Sequence, residues 1–157
     1  MLRKRKDETV PRIENSIDIN ADVYRVFDVT NDIARWPEIF SEYSAAKVIS
    51  EEREGRYTEI IFELANSEGA SWRSWRLLDH RGLTAIAERR DPLYPFEYMH
   101  LKWTYEPVPS GTRMTWVQDF ELDNKVDVPL PTVLERMVAH TKQNQSAIRD
   151  KIESGAV

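Results

Sequence analysis

The stretch "SWRSWRLLD", Ser71 to Asp79, forces an arginine onto a face shared with bulky apolar or aromatic side chains. In a strand, alternation puts Trp72, Ser74 and Arg76 on one face and Arg73, Trp75 and Leu77 on the other. With the Trp72 face inward, Arg76 is a permanent cation with five directional donors in a partly apolar space, suited to holding an anionic or enolate oxygen. The plainer use of the same charge is a salt bridge to a buried acid, with Glu88 and Asp119 as candidates. With the Trp75 face inward, Arg73 and Arg76 exchange roles and the chemical argument weakens. Alternation alone leaves both orientations open.

Other residues could serve the same space. "DVTNDIARWPEIFSEY" gathers Trp36, Phe40 and Tyr43 among acids and beside Pro37, which reads as the rim of something hollow. Trp103 and Trp116 are either core or ligand wall. Asn144 interrupts an apolar helical stripe, where an unpaired amide would cost roughly 1 to 3 kcal/mol, so a ligand, water or backbone partner must satisfy it. No Gly-rich phosphate loop, Ser/His/Asp spacing or carboxylate pair stands out, so phosphoryl transfer and hydrolysis find no support. Cysteine is absent, which removes disulfides and thiolate catalysis, and His80, His100 and His140 lack the close spacing of a zinc site. Two classes remain: a binding module for an apolar or aromatic ligand, and an enzyme that folds a reactive substrate in a cavity.

The elements that must position these groups follow from periodicity. At 157 residues the chain suits one domain over residues 12–157, behind a flexible basic tail over residues 1–11. The basic start has no apolar segment behind it and no later run approaches the ~20 residues needed to span a bilayer, so a soluble cytoplasmic protein is expected. A net charge of −5 argues against non-specific nucleic-acid binding. "RIENSIDIN" places Ile13, Ile17 and Ile19 at strand spacing. Asn20 then offers a cap to a helix with Val23, Val26, Phe27 and Thr30 as its stripe. A second short helix from Asp32 should stop by Trp36, before Pro37. "AAKVIS", "YTEIIFEL", "SWRSWRLL", "TAIAER" and "YMHLKWTYEPV" read as a meander with turns at "EEREGR", "NSEG", "HRG" and "DPLYPF". "VPSG" leads into "TRMTWVQDFEL", so that Met99, Leu101, Trp103 and Tyr105 face Met114, Trp116, Gln118 and Phe120. Thr132 and Glu135 form a capping box for a last helix running to about Ile152. The class is α+β, one long helix covering a curved antiparallel sheet.

Three blocks, "DVTNDIARWPEIFSEY", "PFEYMHLKWTYE" and "GTRMTWVQDFEL", give the chain from about Glu14 to Ile152 a family resemblance. It resembles the aromatase/cyclases of bacterial type II (aromatic) polyketide synthesis, in the START/Bet v1-like superfamily. The resemblance implies a helix-grip fold around a deep pocket. It implies as substrate a linear poly-β-ketone on an acyl carrier protein, made by a minimal polyketide synthase of ketosynthase and chain length factor. The family's W-x-S-x-R-x-x-D strand falls on Trp72, Ser74, Arg76 and Asp79, which favours the Trp72 face as the inner one and ties Arg76 to cyclisation. Trp36 and Tyr43 match the entrance aromatics, Arg90 a second pocket arginine, and Met99, Trp103 and Trp116 the pocket wall; Asn144 falls near a pocket asparagine. The sequence departs from the family at "NSEGAS", where Ala70 replaces a further tryptophan.

On this reading an aldol closure and dehydration make an aromatic ring without metal or redox cofactor. Ser74 and Arg76 would stabilise the enolate oxygen, with water, Tyr43 or the substrate's own acidic methylene handling the proton. A non-catalytic carrier of a lipid or aromatic molecule is the alternative. The protein is taken as a monomer, without nucleic-acid or membrane partners.

Overall fold

The computed structural model describes residues 11–157, so the basic tail expected over residues 1–11 lies, but for its last residue, outside the described residues. Strand β1 (Arg12–Ile19) buries Ile13 and Ile19, as period-two spacing requires. Helix α1 (Val23–Thr30) buries the stripe Val23, Val26, Phe27 and Thr30. Its cap is Asp22 and not Asn20. The Asp22 carboxylate accepts from the Tyr24 and Arg25 backbone N–H groups at 3.1 and 3.4 Å. A tight turn from Ala21 N–H to the Ile19 carbonyl delays the helix, and the Asn20 N–H donates instead to Glu153.

The pre-proline rule predicts a stop at Trp36, but a 3₁₀ turn (Ile33–Arg35) runs into a one-turn helix α2 (Trp36–Ile39) with Pro37 at its start. Proline is tolerated there because its missing N–H would have been unpaired anyway and its φ is already helical. This places Trp36 and Phe40 under the sheet.

Strands β2 (Tyr43–Glu54), β3 (Tyr57–Asn66), β4 (Ser71–Asp79), β5 (Thr84–Arg89), β6 (Phe96–Val108) and β7 (Gly111–Leu122) form an antiparallel meander, and β1 pairs with β7. The sheet order is β1-β7-β6-β5-β4-β3-β2. Strand β2 runs through "EERE", read above as turn, and the reversal shrinks to Gly55 and Arg56.

Helix α3 (Leu130–Glu153) starts earlier than the Thr132/Glu135 box predicts, with Pro129 as its cap residue and no side-chain cap. Pro131 in the first turn again needs no acceptor. The N-terminal half of α3 lays Val133, Leu134, Met137 and Val138 on Ile13, Met99 and Phe120. Its C-terminal half sinks Ile148 and Ile152 into the larger core with Phe27, Phe62 and Met114. Between the two clusters α3 buries polar groups, Thr141, Asn144 and Gln145; Thr141 donates to Gln118 of β7 and Gln145 to the Asn15 carbonyl of β1, each at 3.0 Å.

Gly111 lies at φ +134° in the β6–β7 reversal, where a Cβ would collide with the Ile19 carbonyl and approach the Ala21 nitrogen to 2.8 Å. Gly111→Ala is expected to destabilise by about 1 to 3 kcal/mol or more, read as a lower urea midpoint at unchanged slope.

Candidate active site

Strand β4 settles the orientation left open by alternation. Ser74 and Arg76 are buried and Trp72 half-buried, while the Trp75 indole N–H donates to Glu59 on the outer face at 3.0 Å. The Trp72 face is the inner one. Arg76 is only 1 % exposed and forms no salt bridge among the described residues. Glu88 points to Arg90 and His100 outside the sheet, and Asp119 sits opposite His100, out of step with the inward Phe120.

Arg76 instead rests on rings. Its guanidinium carbon stands 4.2 Å from the centroid of Trp103 and 5.3 Å from that of Trp36. Nε donates to Asn31 Oδ1 at 2.9 Å, and Nη2 has no hydrogen-bond partner among the described residues. Burial lowers the pKa of Arg76 to about 10, which leaves it charged at neutral pH. Asn31 is oriented in turn: its amide nitrogen donates to the Phe27 carbonyl at 2.9 Å and to Tyr105 Oη at 3.2 Å, and Tyr105 Oη pairs with Thr30 Oγ1 at 2.7 Å. Neither Asn31 nor Tyr105 was singled out from sequence. Their signal is a polar group at the end of an apolar helical stripe and another on the inward face of β6.

In front of this assembly lies a cavity of about 190 Å³. Trp36, Phe40 and Tyr43 line one side, Trp72, Ser74 and Arg89 another, and Met99, Trp103 and Trp116 the floor. Thr141, Asn144 and His140 of α3, with Glu42, complete it. Trp103 and Trp116 stack at 4.2 Å and 9°. Arg76 itself is not part of the wall, contrary to the expectation of a cation facing the ligand directly: the rings of Trp36 and Trp103 cover it.

Arg90 is also misplaced by the sequence reading. It is half-exposed beside Glu88 and Trp75 on the outer face, and Arg89, one residue earlier, lines the cavity 4.6 Å over Trp72. Strand alternation explains it, because Arg89 follows Ala85 and Ala87 on the inner face of β5. The Asn144 amide donates to Glu42 Oε1 at 3.0 Å. Burial, reinforced by the Glu42 carboxylate, holds the Tyr43 phenol pKa well above its ordinary value. Tyr43 is therefore held as the neutral phenol at neutral pH. No group of three or more metal-ligating side chains is assembled among the described residues.

Asp79, the last residue of the W-x-S-x-R-x-x-D pattern, faces away from this chemistry. It accepts from Arg56 at 2.8 and 2.7 Å and from the Arg81 and Gly82 N–H groups at 3.0 Å each, closing the β4–β5 turn. These donors, the Arg56 side chain foremost, hold its pKa far below the usual carboxylate range. A depressed folded pKa stabilises the fold above the unfolded value of about 4 and loses that contribution as pH falls through it. Asp79→Asn should lower the melting temperature at neutral pH and flatten its fall on acidification, with the cavity unaffected.

The site is thus an inward arginine between tryptophans, behind an aromatic-walled cavity covered by one long helix. Residues 19–148 match the family described as polyketide cyclase / dehydrase and lipid transport. The chain belongs to this family. Among its relatives, a Streptomyces cyaneus protein named as a putative polyketide cyclase is 39 % identical over 145 residues, covering 89 % of this chain and 92 % of the relative. The fold is that of the Zhui aromatase/cyclase from Streptomyces sp. R1128: TM-score 0.71, 17 % identity, 94 % of this chain and 93 % of that one. A START superfamily protein from Mycobacterium smegmatis has the same fold, with TM-score 0.66, 15 % identity and coverages of 91 % and 94 %. The α+β helix-grip architecture expected from the sequence is the one observed.

Proposed function

We propose that this protein is a polyketide aromatase/cyclase that folds a carrier-protein-bound poly-β-ketone in its cavity and directs aldol closure and dehydration of the first ring or rings. The observation that carries the reading is the buried, charged Arg76, held by Asn31 and two tryptophans with Nη2 left unpaired. A charge kept dry at such cost suits an oxygen that becomes negative during reaction.

A poly-β-ketone reacts without help, so the protein's main task is to choose which methylene meets which carbonyl. Trp72, Met99, Trp103 and Trp116 supply flat apolar walls for that choice. The cavity of about 190 Å³ is smaller than the ~300–1,000 Å³ of sites that enclose drug-sized ligands, so a chain enters by parting the walls. Trp103 is fixed on a central strand, whereas Trp36 sits on a one-turn helix, and its displacement brings Arg76 Nη2 to the substrate. The aldol alkoxide then receives the guanidinium's hydrogen bond, with Ser74 lining the approach and Tyr43 donating its proton.

In this proposal the partners are an acyl carrier protein and a minimal polyketide synthase, and the protein works as a cytoplasmic monomer without metal or redox cofactor. The family description also includes lipid transport, and the apolar walls suit it, so a non-catalytic carrier of a lipid or aromatic molecule is the second reading. Intact-mass spectrometry of a carrier protein loaded with a poly-β-ketone separates them. The enzyme should speed the loss of one water per ring closed, and an unchanged rate of loss would favour the carrier.

A further inference from the structure

Ring closure needs a group that removes a proton from carbon, and neither Arg76 nor Tyr43 provides one. Arg76 stays protonated and Tyr43 stays neutral. At the cavity mouth, however, Glu42 sits with one carboxylate oxygen accepting from the Asn144 amide at 3.0 Å and the other 3.4 Å from His140 Nε2. All three line the cavity, and the Glu42 side chain is only 27 % exposed. They come from distant parts of the chain, the end of the α2 segment and the middle of α3, so the fold builds the cluster. Glu88 also borders the cavity, but its carboxylate is engaged outside by Arg90 at 3.2 Å and by His100 at 3.7 Å.

We infer that Glu42 is the general base of the reaction, with Asn144 and His140 as its positioning residues. This rests on the cyclase reading above. The step balances without any co-reactant. Glu42 takes a proton from a methylene between two carbonyls, and the C–H electron pair becomes the enolate. The enolate carbon bonds to a ketone carbon, whose π pair moves to oxygen and takes the Tyr43 proton to give the alcohol, and the proton on Glu42 restores Tyr43. In dehydration Glu42 takes a second C–H proton, that C–H pair forms the new double bond, and hydroxide leaves as water with the proton Glu42 has just accepted. His140 and Asn144 hold the two carboxylate oxygens so that the open lone pairs face the chain.

The test is deuterium exchange at the central methylene of 1-phenylbutane-1,3-dione, followed by NMR with wild type, Glu42→Gln, Glu42→Asp and His140→Asn, alongside product analysis with a minimal synthase. Wild type should accelerate exchange over buffer, and Glu42→Gln should lose that acceleration by about 10²-fold or more. Glu42→Asp should recover part of it, and His140→Asn should fall between wild type and Glu42→Gln. Circular dichroism and binding of the same diketone, by tryptophan fluorescence, report whether each variant is folded and occupied. Exchange by a folded, diketone-binding Glu42→Gln at the wild-type rate overturns the assignment. So does a wild type that redirects product but does not accelerate exchange. A wild type that leaves the product profile unchanged refutes the cyclase reading itself, and the base with it.

Discussion

Arg76→Met is expected to leave the protein about as stable as wild type while reducing formation of the directed product by about 10² to 10³-fold. The activity loss is that typical of removing one donor from a developing oxyanion, about 2.7 to 4 kcal/mol. The stability side rests on opposing terms. A pKa lowered to about 10 by burial means that the charge opposes folding at all lower pH, by about 3 kcal/mol, and that the opposition fades as pH rises through 10. Methionine removes that cost and fills the gap between the rings of Trp36 and Trp103 with a thioether. It also leaves Asn31 Oδ1 without its donor, a penalty of roughly 1 to 3 kcal/mol, and forfeits the contacts of the cation with the rings. The sum lies within about 2 kcal/mol of zero. Urea midpoints and product yields from the same preparations check both halves. A variant that loses activity by unfolding would make Arg76 a structural residue.

Trp36→Ala is expected to cost about 3 to 5 kcal/mol and to scatter the products rather than stop consumption of the chain. Trp36 is 4 % exposed and touches Phe40, Tyr43, Phe62 and Trp103 with ring centroids 5.3 to 6.0 Å away. Its indole N–H donates to the Thr30 carbonyl at 3.1 Å, which ties the one-turn helix to the end of α1. Alanine removes all of this and joins the cavity to the space around Arg76. The cation remains, so ring closure continues, but the wall that selects one fold of the chain is gone. Trp36→Phe should keep most of the wall, lose the N–H bond and fall between the two. The checks are the denaturation midpoint and the number of distinct cyclised products. A single unchanged product from Trp36→Ala would place the selection elsewhere.

The sheet was legible because its strands alternate cleanly. Met99, Leu101, Trp103 and Tyr105 could be set against Met114, Trp116 and Phe120 from spacing alone, and the observed register does so. Local signals failed where tertiary packing or proline chemistry competed with them. Asn20 lost the cap to Asp22 through a turn that spacing does not reveal, and Pro37, which read as a helix breaker, lies at a helix start. At the site, alternation correctly grouped Trp72, Ser74 and Arg76, but it could not say which face was inner. Glu42 and Asn31 were invisible for a different reason. Each is an ordinary polar residue beside a break in secondary structure, and its importance comes from partners about 100 and 45 residues away, Asn144 and Arg76. Arg89 and Arg90 differ by one position, and only the register of β5 decides between them.

Carbon-13 NMR of the products made by a minimal polyketide synthase from labelled precursor, with and without this protein, distinguishes directed from spontaneous cyclisation. With the protein present, the mixture of spontaneous rings should collapse to one aromatised pattern with one set of joined carbons. The same mixture with and without the protein, across chains of several lengths, would contradict the cyclase reading.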